Sequence, residues 1–161
     1  AAAGPCGFSR RGVLAQARAA RRSGAVPMLV MTWSVRGEAD AGEAARATLR
    51  AAREARLKVI PVGLAFELAE KTGRAALRMP DGRHPSAAGT YLYGAVLYAS
   101  LFGRSPEGLG CRGGCEKPLE PALARFLQGC AWKAVTDFNA GQDGPERRRP
   151  GDPDPQPLSP F

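Results

Sequence analysis

Histidine and asparagine are almost absent: His84 and Asn139 are the only ones in 161 residues. Four cysteines stand at 6, 111, 115 and 130, and with a single imidazole they match no zinc-binding spacing. They make one or two disulfides, with Cys111 or Cys115 to Cys130 the favoured pairing, or they remain free thiols; neither outcome assigns a redox compartment. No heptad is sustained, which excludes a coiled coil, and the 20 glycines and 14 prolines follow no triplet period, which excludes collagen. The apolar share of 44% excludes a wholly disordered chain. The length suits one domain with a real core.

Lysine is scarce too. Arg outnumbers Lys by 19 to 4, and with 15 acidic residues the formal net charge is 23 − 15 = +8. An Arg- and Ala-rich composition is what GC-rich coding DNA produces without any functional cause. The arginines are scattered, from Arg10 and Arg11 through Arg46, Arg50 and Arg53 to Arg147–Arg149, and form no stripe interleaved with aromatics. No nucleic-acid partner is therefore expected. The one long uncharged run, Pro85 to Gly103, has 19 residues but contains three Tyr, three Gly and a Pro. It reads as a helix buried against a sheet, so no membrane span is expected. The opening Ala-Ala-Ala-Gly-Pro, with no Met and no secretory pattern, reads as an internal segment.

Ser9 to Gly24 has a capping Ser, Arg21 and Arg22 in the last turn and a stop glycine, which predicts a helix. Val26 to Trp33 is a nearly continuous apolar run, as expected of a parallel strand buried on both faces. Asp40 to Arg56 is Ala-rich with capping-box spacing between Asp40 and Glu43, a second helix whose Arg46, Arg50 and Arg53 form a solvated face. Leu57 to Val62 is a second buried strand. Leu64 to Thr72 forms a short helix, residues 73 to 85 a loop, and Pro85 or Ser86 opens the uncharged helix to about Phe102. Gly103 to Pro118 is irregular, and Leu119 to Asp137 is a last helix. From Gly141 a tail with five Pro in its last twelve residues is expected to be disordered. Strand, helix and parallel strand define an α/β chain, but two strands are too few for a doubly wound sheet.

Asp81-Gly82-Arg83-His84-Pro85-Ser86-Ala87-Ala88-Gly89 lies between a buried strand and a buried helix. A carboxylate three residues before an imidazole can accept the Nδ1–H, fix the tautomer and leave Nε2 as a general base. The same spacing also serves a His–Asp pair that only stabilises a turn.

This D-x-x-H-P block, followed by a small-residue helix start, resembles the last conserved block of the SGNH (GDSL-type) esterases and lipases. Val30-Met31-Thr32-Trp33-Ser34, then Val59 to Phe66, resemble the strands before that block, and His84 to Tyr98 resembles the terminal helix. The likeness covers about residues 9 to 104. It implies a three-layer α/β/α fold with a parallel sheet, flavodoxin-like, of which residues 1–104 form the C-terminal part. Residues 105–140 then add a loop and helix, and 141–161 the tail. It implies hydrolysis of an ester of a small molecule or carbohydrate, with no cofactor and no metal, His84 as general base and Asp81 orienting it.

The chain departs from the family in lacking G-D-S, and Asn139 lies on the wrong side of the His block for an oxyanion donor. Ser9 reads as a helix cap, Ser86 as a helix start, and Ser34 as the one serine at a strand end. Trp33 is read as a core residue or as lining a cleft. The expectation is a truncated hydrolase holding Asp81 and His84 without nucleophile or oxyanion donors. The alternatives are a non-catalytic partner-binding module and a basic nucleic-acid-associated protein.

Overall fold

The computed structural model describes residues 9–34, 41–110 and 118–142. The chain is mixed α/β and mostly helical, in the order α1 (Arg10–Arg22), β1 (Met28–Val30), α2 (Ala41–Ala55), β2 (Lys58–Ile60), α3 (Val62–Glu70), α4 (Ala87–Phe102) and α5 (Pro121–Gln142). The described strands form one parallel pair, with Met28 opposite Lys58 and Val30 opposite Ile60.

The paired strands are shorter than their apolar runs. Val26 is 77% exposed and Pro27 has no N–H to give, so pairing begins at Met28. Pro61 ends the ladder for the same reason and stands as the N-cap of α3, where a missing N–H costs nothing. The second strand therefore stops before Val62, and α3 spans Val62–Glu70 rather than Leu64 to Thr72.

Alternation along the strands sends side chains to two cores. Met28, Val30 and Ile60 join the larger cluster, built around Phe66, Leu77, Leu92, Val96 and Leu127. Leu29, Met31 and Val59 join a smaller one with Ala52 of α2. Both faces being covered explains why the runs show no polar alternation.

Local chemistry sets the helix ends. Ser9 Oγ accepts the Gly12 N–H at 3.1 Å, and Arg21 donates to the carbonyls of Ala55 and Arg56 at the end of α2, each at 2.8 Å. The Asp40–Glu43 capping box lies outside the described residues. Arg46, Arg50 and Arg53 are exposed, the solvated face expected of α2. Both carboxylate oxygens of Glu120 cap α5 through the N–H groups of Ala122 and Leu123. These bonds lower its carboxyl below the ordinary value, the Ala122 bond most.

α5 packs on α3 and α4 through Leu127, Ala131, Ala134 and Val135, which share the larger core. It continues five residues beyond Asp137 because Phe138 packs into the smaller cluster. Gly141 and Gln142 are thus helical rather than the start of a tail, and residues 143–161 lie outside the described residues. Cys130 is buried in α5, and burial pushes its thiol above the ordinary range. Cys6, Cys111 and Cys115 lie outside the described residues, so neither expected pairing falls within them. No helix among the described residues is long and apolar enough to cross a membrane.

Gly89, in the first turn of α4, lets the 77–79 segment lie directly on the helix. A Cβ there would stand 2.1 Å from the Leu77 carbonyl oxygen, a backbone atom that cannot step aside. Gly89→Ala is expected to cost about 1–3 kcal/mol in urea unfolding. Gly94→Ala in the same helix has no atom within 4 Å of the added carbon and is expected to gain roughly 0.5–1 kcal/mol. Equal effects of the two substitutions would disprove the close approach.

Candidate active site

The Asp81–His84 turn hangs between two backbone anchors. Arg78 and Pro85 form an antiparallel bridge, and Met79 N–H donates to the His84 carbonyl at 2.8 Å. Gly82 N–H closes a turn onto the Met79 carbonyl at 2.9 Å, and Gly82 has φ +67°, a conformation open to glycine at little cost. Ser86 then starts α4: its Oγ accepts the Gly89 N–H at 3.2 Å and donates to the Ala76 carbonyl at 2.7 Å. Ser86 is therefore committed to the helix start and Ser9 to its cap, as their sequence contexts imply.

The turn brings Asp81 and His84 together. Asp81 Oδ1 accepts the backbone N–H of Arg83 at 2.9 Å and of His84 at 3.0 Å, an Asx-type turn. Asp81 Oδ2 lies 2.5 Å from His84 Nδ1. An ionised carboxylate only accepts, so Nδ1 is the protonated nitrogen of the pair, and in that neutral tautomer Nε2 is the nitrogen that keeps a lone pair. The His84 side chain is 71% exposed and Asp81 48%. The imidazole N–H, and after it the two backbone N–H groups, hold the Asp81 carboxyl at about 2, below its ordinary 3.8.

Around the turn stand groups that no local motif marks. Trp33 follows β1 and stacks on Phe66, ring centroids 4.2 Å apart with 9° between the planes, and meets Tyr93 edge to face at a centroid separation of 6.3 Å. Its indole N–H donates to the Arg83 carbonyl at 3.0 Å, so it is at once a core residue and a neighbour of the turn. Arg78 is buried. Its Nε and Nη2 grip both carboxylate oxygens of Glu70 at 2.7 and 2.8 Å, and its Nη1 reaches the carbonyls of Ser34 and, at 3.4 Å, of Gly82. Arg78 and Glu70 carry no local sequence mark, because their partners lie in three separate segments.

No described hydroxyl meets the imidazole. Ser34 is held near the turn by its backbone carbonyl, and its side chain makes no hydrogen bond with His84. Asn139 lies on α5. Two surface recesses, one between α3 and α5 and one between α1 and α2, do not include the pair. Among the described residues no three His, Cys, Asp or Glu side chains gather as a metal site would require.

Protein-family models, curated proteins and solved structures yield no match to this chain.

The Asp81 carboxyl is expected to titrate near 2 by carbon-detected NMR. A folded-state value below the ordinary one means that the pair stabilises the turn fully above about pH 3.8. That contribution disappears as pH falls through about 2. His84→Ala is expected to raise the midpoint toward 3.8, since the imidazole is the largest cause of the depression. An unmoved midpoint in that variant would assign the depression to the backbone N–H groups alone.

Proposed function

We propose that this chain carries the acid–base half of an SGNH-type serine ester hydrolase acting on an acylated small molecule or carbohydrate. The observation that carries this reading is the 2.5 Å Asp81–His84 contact, with the imidazole exposed and Nε2 unpartnered among the described residues. In this reading Asp81 holds the Nδ1–H tautomer. His84 Nε2 removes the hydroxyl proton of a serine as that serine attacks the ester carbonyl, then passes it to the departing alcohol. Water repeats the sequence on the acyl-enzyme. The chemistry calls for no metal or cofactor.

The sequence has no G-D-S, so the serine and the oxyanion donors are assigned to a further segment. The sheet agrees with that assignment. Met31 N–H donates to the Ile60 carbonyl and its own carbonyl accepts from Gly63 N–H, so Met31 faces β2. Residues of a parallel strand turn alternately to the two sides, which puts the polar backbone of Met28 and Val30 on the other edge. No described strand lies there. Further strands on that edge would complete the three-layer α/β/α fold the resemblance implies.

One observation favours a second reading. Asp81 Oδ1 shapes the turn whether or not catalysis occurs, as in a non-catalytic, partner-binding α/β module.

The two readings separate in hydrolysis of p-nitrophenyl acetate, measured on this chain and on the longest polypeptide its reading frame encodes. The longer product is expected to turn over, and His84→Ala to slow it by about 10²–10⁴-fold. Asp81→Asn keeps an acceptor for the two N–H groups but presents an amide to Nδ1. It is expected to lose activity while melting near wild type. Indifference of the folded protein to His84→Ala would establish the second reading. Turnover with an acyl-enzyme burst by this chain alone would place the nucleophile within it, with Ser34 the first to replace.

A further inference from the structure

Three consecutive carbonyls of the turn each receive a donor. His84 O takes the Met79 N–H at 2.8 Å, Arg83 O takes the Trp33 indole N–H at 3.0 Å, and Gly82 O takes Arg78 Nη1 at 3.4 Å. The first is local and, with the Asx bonds of Asp81, shapes the turn. The other two place it. Trp33 and Ser34 are consecutive residues just past β1, and Arg78 Nη1 bridges the Ser34 and Gly82 carbonyls. Both long-range braces therefore run to the same dipeptide at the end of β1. Each brace is itself fixed: Trp33 by its stack on Phe66, and Arg78 by the two-pronged bond to Glu70 in a site that leaves 7% of its side chain exposed. A guanidinium held through Nε, Nη1 and Nη2 at once has little freedom to turn, and displacing it leaves its charge without these partners in a largely covered site.

We propose that Trp33 and Arg78 are positioning residues that hold His84 at a fixed place relative to the end of β1. The inference rests on the reading of His84 as a general base, because such a base must be held within about 0.5 Å of its productive position.

The test uses the whole chain and needs no turnover. Trp33→Phe keeps an aromatic ring against Phe66 and removes the N–H donor together with part of the ring system. It is expected to melt near wild type while nuclear Overhauser contacts between the Arg83–His84 backbone and residues 33 and 34 weaken and the His84 ring resonances broaden, the Asp81 midpoint being set within the turn and staying near 2. Arg78→Lys keeps the charge but not the fork, and is expected to change both signals in the same direction. Arg78→Met is expected to change them further and to lower the melting temperature. Should Arg78→Met fail to fold, the other two variants decide. The groups facing the turn that also titrate or carry charge are Arg78, Arg83 and Glu70. Glu70→Gln removes one arm of the Arg78 fork and is expected to act in the same direction as Arg78→Lys. Unchanged Overhauser contacts and unchanged His84 resonances in folded Trp33→Phe and Arg78→Lys would overturn the proposal, leaving a turn placed by its own backbone anchors. Loss of the catalytic reading would show instead as ester hydrolysis indifferent to His84→Ala, with the signal changes of these variants still present.

Discussion

Two short parallel strands with apolar side chains on both faces cannot stand in water, and covering both faces is the constraint the remaining elements satisfy. One face receives Met28, Val30 and Ile60 and is closed by α3, α4 and α5 around Phe66 and Leu92. The other receives Leu29, Met31 and Val59 and is closed by α2, with Phe138 of α5 reaching in. The reach of Phe138 links the two clusters. The last helix is therefore part of the same body as the strands.

From that constraint follows where chemistry can sit. The chain leaves β1 through Trp33 and Ser34, crosses α2, and comes back through β2 into α3, so the end of β1 lies beside the start of α3. Phe66 of α3 supplies the surface on which Trp33 stacks, and Glu70 at the far end of α3 supplies the carboxylate that orients Arg78. The Asp81–His84 turn is laid over this corner. The Gly89 approach allows it, since the segment entering the turn lies against the first turn of α4. Packing, a buried ion pair and a surface imidazole are thus one connected arrangement.

What the sequence discloses divides by the range of the interaction. Ser9, Ser86 and the Asp81–His84 spacing act within three residues: the two serines cap their helices as their contexts imply, and the pair makes the contact its spacing allows. Pro61 misleads because proline closes a strand and opens a helix equally well, and only the packing of Val62, Ala65 and Phe66 chooses the helix. The end of α5 is set by Phe138 meeting Met31 and Val59, residues far away in sequence. The Trp33–Arg83 bond spans fifty residues and the Arg78–Ser34 bond forty-four, so no window along the chain contains either. The chemical pair is readable in the sequence; the frame that holds it is a property of the fold.

The outer edge of β1 carries a consequence for handling the protein. Among the described residues no strand covers the backbone groups of Met28 and Val30 that point away from β2, and such an edge is a template that recognises only an extended backbone. A neighbouring molecule offers such a backbone as readily as a proper partner does. A segment that paired with this edge would therefore remove the template as well as extend the sheet.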